Sequence, residues 1–157
     1  MAGTMHLAQL NVGRLRYPSD DPRVADFMNN LERVNAIAER SPGFVWRLKD
    51  DTGNATSIRP FADPTVLINL GVWENAESLE RFVWQTVHKR FYNRKGEWFQ
   101  SHSEPYFVMW PVAVGHIPSL EEAGERLEHL RAHGSTDYAF GWEHLPHINL
   151  WRTERCA

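Results

Sequence analysis

Residues 66–73, VLINLGVW, decide the fold of this chain, because their apolar side chains point to both sides of a strand. One face carries four aliphatic side chains, and the other carries Leu67 and Trp73. The segment 106–114, YFVMWPVAV, is apolar on both faces in the same way, and its Pro111 favours an edge position in a sheet. Strands of this kind need a cover on each side of their sheet. The sequence therefore predicts a sheet that is buried on both faces.

The segments around these two strands complete an α+β pattern. HLAQLNVG (6–13) and FVWRL (44–48) have the alternation and composition of strands. Apolar residues at helical spacing predict one helix over 22–40 and another from Asn75 or Ala76 to about residue 95, with a break near Gly96. The resulting order is strand, helix, strand, strand, helix, strand. This order predicts a ferredoxin-like, four-stranded antiparallel sheet with both main helices on one face.

A third helix follows within GHIPSLEEAGERLEHLRAHGS (115–135). Ser119 and Glu122 have the spacing of a capping box, in which each residue caps the other. We therefore divide the chain into a ferredoxin-like domain over 5–115 and a C-terminal helix and tail over 116–157, which we expect to pack on that domain.

The two main helices of this arrangement cover one face of the sheet and leave the other bare. Because both faces are apolar, the second face needs another layer, most directly a second copy of the chain. The sequence therefore predicts a homodimer.

Composition limits the classes of partner. The chain has 157 residues, a formal net charge of −3 and no basic cluster, which argues against nucleic acid or an anionic membrane as the main partner. Its single cysteine, Cys156, excludes an intrachain disulfide, and the first residues lack the pattern of an export signal. These features predict a cytoplasmic protein that acts on small molecules or other proteins.

The predicted second main helix has an unusual number of rings in FVWQTVHKRFYNRKGEWF (82–99). One apolar sector packs on the sheet, whereas a second sector carries Trp84, His88, Phe91 and Tyr92 and extends towards Phe99. This second sector either packs against a partner or the core, or lines a cavity.

Several motifs resemble the dimeric α+β barrel superfamily, which includes antibiotic-biosynthesis monooxygenases and haem-degrading monooxygenases. The stretch VWENAESL (72–79), followed by His88 and Phe91, resembles the strand-to-helix signature of that superfamily. Within it, the chain resembles an uncharacterised bacterial family, a domain of unknown function, over most of its length. That closer resemblance is carried by SIRPFADP (57–64), HxxxxxRxxEWF (88–99), MWPVAVGHIPSLEEAGERLEHL (109–130) and AFGW (139–142).

The resemblance implies a pocket between the sheet and the helices. In relatives, this pocket is surrounded by an Asn on the first strand, a Trp at the end of the third and a His on the following helix. The matching residues are Asn11, Trp73 and His88, with Gln9 as an alternative to Asn11. The implied activity is monooxygenation of an apolar or aromatic substrate, without a cofactor or with haem. A dimer of the same fold that binds a small ligand or haem without catalysis is the alternative.

Each candidate also has a structural interpretation. For His88 the functional interpretations are a general base or a haem ligand, and the structural one is a buried histidine that donates to a carbonyl. Trp73 stacks on a ligand or belongs to the core, and Asn11 orients a substrate oxygen or caps a turn. The ligand-binding candidates beside them are Gln9, Trp84, Phe91 and Tyr92.

Two charged motifs have less specific chemistry. Arg94 and Glu97 are three residues apart, which predicts a solvated ion pair rather than an anion clamp. His129 and His133 have a spacing that suits zinc, but they lack the glutamate of metalloprotease helices and we expect them on a solvated face. We predict no metal site.

Overall fold

The computed structural model describes residues 5–18, 20–48, 66–85, 94–100 and 104–145. Four strands and four α-helices follow one another along these residues: β1 (Met5–Arg14), α1 (Ala25–Glu39), β2 (Phe44–Arg47), β3 (Val66–Trp73), α2 (Ala76–Gln85), α3 (Lys95–Trp98), β4 (Phe107–Ala113) and α4 (Leu120–His133). Short 3-10 turns at Pro22–Val24 and Trp142–His144 precede α1 and follow α4. No helix in this described part of the chain is both long and apolar enough to cross a bilayer.

The strands form one antiparallel sheet in the order β2-β3-β1-β4. This is the ferredoxin-like order, in which β1 and β3 lie side by side at the centre. The predicted α+β fold class is therefore confirmed. Pro111 lies in β4 at an edge of the sheet and is exposed, as its missing N–H favours.

The even-numbered side chains of the central strands pack on α4. Ala123, Leu127 and Leu130 of this helix are buried in one cluster with Leu10 and Trp110 of the sheet. The face that we expected to be bare is therefore covered by the chain's own C-terminal helix. We were wrong to expect that this face needs a second copy of the chain. The spacing of apolar residues in α4 predicts which side of the helix is buried, but it does not predict which surface that side packs on.

The start of α4 differs from the predicted capping box. Ser119 Oγ accepts a hydrogen bond from the Glu122 backbone N–H at 3.0 Å, as expected. The Glu122 carboxylate does not return this bond but accepts from Trp110 Nε1 at 2.8 Å and contacts His116 Nε2 at 2.7 Å. The capping box is thus half formed, because Glu122 links the helix to β4 and to the preceding loop instead.

The segment after α4 returns to the edge of the sheet. Phe140 exchanges two backbone hydrogen bonds with Met109 of β4, at 2.8 and 2.9 Å, and is 6% exposed. Trp142 then stacks on Phe107 with ring centroids 5.4 Å apart. The outer edge of β4 is therefore partly occupied by the chain itself.

The start of α2 agrees with the prediction, since Asn75 Oδ1 accepts from the Ser78 backbone N–H at 2.9 Å and caps the helix. Gly96 was expected to break this helix but lies inside the short helix α3. The Gly96 carbonyl accepts from Arg16 Nε at 2.7 Å, which ties this turn to the end of β1.

Candidate functional site

A cavity of about 720 Å³ lies between the sheet and helices α1 and α2. Its floor is the odd-numbered face of the central strands, and its walls come from both helices, from β2 and from the segments before β4 and after α4. Most of its lining is apolar or aromatic. The cavity therefore occupies the region between sheet and helices where the sequence predicted a pocket.

Short and polar residues from the two central strands form the floor. The strand register pairs Gln9 with Gly71 and Asn11 with Asn69, and all four residues line the cavity. Three amide side chains are thus brought together on one face, in the middle of a sheet whose other face carries the apolar core packed on α4. We call Gln9, Asn11 and Asn69 the floor amides.

Asn69 is the single exposed position of β3, a strand whose other residues are all buried. The strand lies between two neighbours, so neither sheet edge exposes this side chain. Its exposure comes from the open cavity above the sheet. Asn11, its partner in the register, is partly exposed to the same space.

Gln9 is 5% exposed and donates through Nε2 to Asn69 Oδ1 at 2.6 Å. The side chain has room to lie across β3 because residue 71 is a glycine. A Cβ at Gly71 would lie 3.3 Å from Gln9 Nε2 and 3.1 Å from the Trp46 carbonyl oxygen. The glycine thus permits the hydrogen bond between the two amides.

Trp73 lies at the cavity wall but is only 2% exposed. Phe82 stacks on its ring at 5.4 Å and 28°, and Phe44 meets it edge-on at 5.4 Å and 88°. One face of the Trp73 ring is therefore already taken by Phe82 of α2. The ring is held rigidly and offers a ligand little surface.

The opposite end of the floor is closed by Phe99. A Cβ at Gly13 would lie 2.7 Å from the Phe99 ring, so the ring packs directly on the β1 backbone. Phe27 of α1 meets Phe99 edge-on at 5.0 Å. Both rings line the cavity, which therefore has aromatic walls at each end of the floor.

Helix α2 contributes buried apolar side chains to the wall. Phe82, Val83 and Trp84 are each less than 10% exposed and line the cavity. Of the predicted second aromatic sector, the structure describes Trp84 and Phe99, and both line the cavity. His88, Phe91 and Tyr92, and the connection 49–64, lie outside the described residues.

The charged residues around the cavity are balanced. Within the described lining, two arginines (Arg16 and Arg47) accompany two glutamates (Glu104 and Glu143). Arg47 Nε contacts Glu39 Oε2 at 3.1 Å. This part of the lining has no excess of either charge.

The predicted pair of Arg94 and Glu97 is confirmed as an ion pair at the surface. Arg94 Nε donates to Glu97 Oε2 at 2.9 Å, and Nη2 donates to Asp26 Oδ2 at 3.1 Å. These hydrogen bonds, with Glu97 first, raise the pKa of Arg94, and the same contact lowers the pKa of Glu97. Because both carboxylates compensate the guanidinium, this motif favours the solvated pair over an anion clamp.

His129 and His133 lie side by side on α4, with ring centroids 4.6 Å apart. His129 Nε2 is 3.0 Å from Thr136 Oγ1, and its ring packs on Tyr138. Among the residues that the structure describes, no group of three or more histidine, cysteine, aspartate or glutamate side chains is arranged to hold a metal ion.

The structure brings Asn11, Gln9, Trp73 and Trp84 to one cavity. It adds Asn69, which we did not predict from the sequence. The sequence feature that could have identified Asn69 is its position as a single polar residue inside the apolar run VLINLGVW, on the same face as Leu67 and Trp73. A polar residue on a buried face marks either a hydrogen-bonded core position or an opening in the core.

Several solved structures are similar to this chain at low sequence identity. SnoaB from Streptomyces nogalater, a cofactor-independent oxygenase, is 15% identical with a TM-score of 0.46, over 74% of this chain and 97% of that one. A conserved protein from Methanosarcina mazei Go1 is 14% identical with a TM-score of 0.48, over 68% of this chain and 92% of that one. A protein of unknown function from Nitrosomonas europaea is 13% identical with a TM-score of 0.48, over 74% and 97%. These likenesses assign no function to this chain.

No curated protein matches the sequence. One family model does, over residues 6–156, which is nearly the whole chain. The resemblance to an uncharacterised family is thereby confirmed. The chain belongs to the family described as a domain of unknown function, DUF3291.

Proposed function

We propose that this protein binds a small, neutral and largely apolar ring molecule in the cavity between the sheet and helices α1 and α2. The cavity volume of about 720 Å³ falls within the range of roughly 300–1,000 Å³ that is usual for small-ligand sites. Aromatic walls beside a few convergent polar groups are also typical of such sites. The balance of arginines and glutamates in the described lining favours a neutral ligand over an ion.

The exposure of Asn69 carries this proposal. An amide in the centre of a sheet costs free energy unless it is hydrogen-bonded or solvated, and a purely structural core would place an apolar residue there. Asn69 is instead exposed within an otherwise buried strand, beside Asn11. A ligand that fills the cavity contacts both amides.

The chemistry that we propose at this site is monooxygenation of an activated carbon of the ligand. In this scheme His88 removes a proton from the substrate, and Asn11 holds the substrate oxygen on which the resulting negative charge is delocalised. Dioxygen is the oxidant: a CH₂ group becomes a carbonyl, and the second oxygen atom leaves as water with the two hydrogens. Trp73 serves as a rigid wall in this scheme, because Phe82 already stacks on its ring.

We assign no step to haem. Among the described lining residues there is no histidine, cysteine or methionine, and Tyr106 is the one side chain of a type that serves as an axial haem ligand. Haem binding through His88 therefore stays a prediction from the sequence, and the visible absorption of the purified protein tests it.

A non-catalytic binding protein is the second candidate. The burial of Trp73 beneath Phe44 and Phe82 favours it, because a ring that is covered in this way is part of the core. The ligand would then lie on the floor amides without reacting.

Calorimetric titration with 1-naphthol tests the binding proposal. We expect Asn69→Trp to weaken binding at least tenfold, since the larger side chain enters the cavity from an exposed position and so spares the core. Asn29→Trp is the matched control, because Asn29 is exposed on α1 and does not line the cavity. Equal binding by all three proteins would contradict the proposal.

Oxygen uptake separates the two candidates. We expect a panel of quinols and polyphenols to contain a substrate that drives uptake by the wild type but not by His88→Ala. His133→Ala, at an exposed position of α4, is the control. Uptake that is equal in His88→Ala and the wild type would contradict the enzymatic proposal and leave the binding proposal standing.

We also propose a homodimer and a cytoplasmic location. The homodimer rests on the sequence resemblance to the dimeric α+β barrel superfamily, since α4 covers the face that first suggested it. The location rests on the single cysteine, which is typical of proteins in a reducing compartment.

A further inference from the structure

We propose that Gln9 is a positioning residue that fixes the amide of Asn69, so that the cavity selects ligands carrying an acceptor oxygen over ligands carrying an N–H donor. This inference rests on the proposed function, because it concerns which ligand the same cavity accepts. It is independent of whether a reaction follows binding.

The first observation is the direction of the hydrogen bond. Gln9 Nε2 donates to Asn69 Oδ1 at 2.6 Å, so the carbonyl end of Asn69 is the end that is bonded to Gln9. The Nδ2 end of the same exposed amide is then the group that meets a ligand. An amide nitrogen of this kind is a donor only, and its complement is a carbonyl or ether oxygen.

The second observation is that Gln9 is held while Asn69 is open. Gln9 is 5% exposed, whereas Asn69 is the exposed position of β3. The buried residue therefore sets the orientation, and the exposed residue presents it to the cavity.

The third observation is the space that Gly71 provides. Gln9 and Gly71 are register partners, and a Cβ at position 71 would lie 3.3 Å from Gln9 Nε2. Any larger residue at position 71 would therefore displace the Gln9 amide by a few tenths of an ångström from its place over β3. Register, glycine and hydrogen bond thus combine to fix one amide.

Three bicyclic probes of similar size test the proposal by calorimetry: 1-indanone, which has a carbonyl acceptor, indole, which has an N–H donor, and indane, which has neither. A neutral hydrogen bond changes affinity by roughly three- to tenfold. We expect the ratio of 1-indanone affinity to indole affinity to be roughly three- to tenfold higher in the wild type than in Gln9→Leu. In Gln9→Leu the Asn69 amide is free to turn.

Gln9→Glu is the sharper variant, because it keeps the size of the side chain and removes its donor when the carboxyl is ionised. The carboxylate would accept from Asn69 Nδ2, and Asn69 Oδ1 would then face the cavity. At pH 9 we expect the preference to reverse, so that indole binds more tightly than 1-indanone. Loss of stability alone cannot reverse a preference, which separates this role from a merely structural one.

Thermal melting establishes which variants fold. If Gln9→Glu does not fold, the affinity ratio in Gln9→Leu alone tests the proposal. An unchanged ratio of 1-indanone to indole affinity in Gln9→Leu would overturn the proposal, as would an unreversed preference in folded Gln9→Glu. Equal binding of all three probes by the wild type would overturn it while leaving the cavity as a binding site. Failure of the wild type to bind any of them would overturn the proposed function together with this inference.

Discussion

Asn11 and Asn69 are direct partners in the register of β1 and β3, and both amides face the cavity between the sheet and its helices. The residues beside them on the opposite face, such as Leu10 and Leu70, are buried in one cluster with α4. The same two strands therefore build a closed apolar core on one side and a polar floor on the other. This difference between the two faces is the main reason to regard the cavity as a functional site.

Gly71→Ala tests how closely the floor is packed. The added methyl group would lie 3.1 Å from the Trp46 carbonyl oxygen and 3.3 Å from Gln9 Nε2. We expect a net destabilisation of about 1 kcal/mol, since overpacking costs more than the loss of glycine's freedom returns. Urea unfolding measures it. The control is Gly124→Ala, where nothing lies within 4 Å and the change should stabilise α4 by up to ~1 kcal/mol.

Ser119→Ala removes the side-chain cap of α4. We expect a loss of about 1 kcal/mol in the free energy of unfolding, because the Glu122 N–H loses its acceptor. Ser119→Asp retains an acceptor oxygen and is expected to retain most of the stability. Equal stability of Ser119→Ala and the wild type would show that the cap does not hold the helix.

Glu122 makes the stability of the fold depend on pH in the acidic range. Burial raises its pKa, but the contact with His116 and the hydrogen bond from Trp110 outweigh burial, and the pKa lies below its ordinary value of 4.5. A carboxyl whose pKa is lowered by folding stabilises the fold above its unfolded pKa, and that contribution is lost as the pH falls through the folded pKa. We therefore expect stability to fall below about pH 4.5, and to fall less steeply in Glu122→Gln. An identical slope in Glu122→Gln and in the exposed control Glu121→Gln would contradict this.

Sedimentation at micromolar concentration tests the homodimer. We expect a species with twice the mass of the chain. A monomer would show that covering the second face of the sheet with α4 has replaced the dimer that the superfamily resemblance implies.

The sequence was sufficient to predict the sheet and its order. Alternation identifies β1, an apolar run identifies β3, and the succession of strands and helices is the ferredoxin-like one. It did not predict the position of α4. The stripe of Ala123, Leu127 and Leu130 shows that one side of the helix is buried. Either face of a sheet that is apolar on both sides could bury that stripe. The partner surface depends on chain path, which local periodicity does not contain.

The site was predicted only in part, because it too depends on which segments of the chain lie side by side. Asn11 and Gln9 were selected because the resemblance implies an Asn of the first strand at the pocket, and both residues lie on the partly polar face of β1. Asn69 was missed because it lies in a run that is otherwise apolar, and only the register places it opposite Asn11. The role of Gly71 depends on where the Gln9 side chain lies, so it is visible only in three dimensions.

A crystal of the protein soaked with 1-bromonaphthalene tests most directly whether the cavity is the ligand site. Anomalous scattering locates the bromine atom without reference to any assumed binding mode. We expect a bromine peak between the sheet and α1, over the floor formed by Asn11 and Asn69, and no such peak in crystals of Asn69→Trp. A bromine atom bound only at the outer surface, or a wild-type crystal in which side chains close this space, would contradict it.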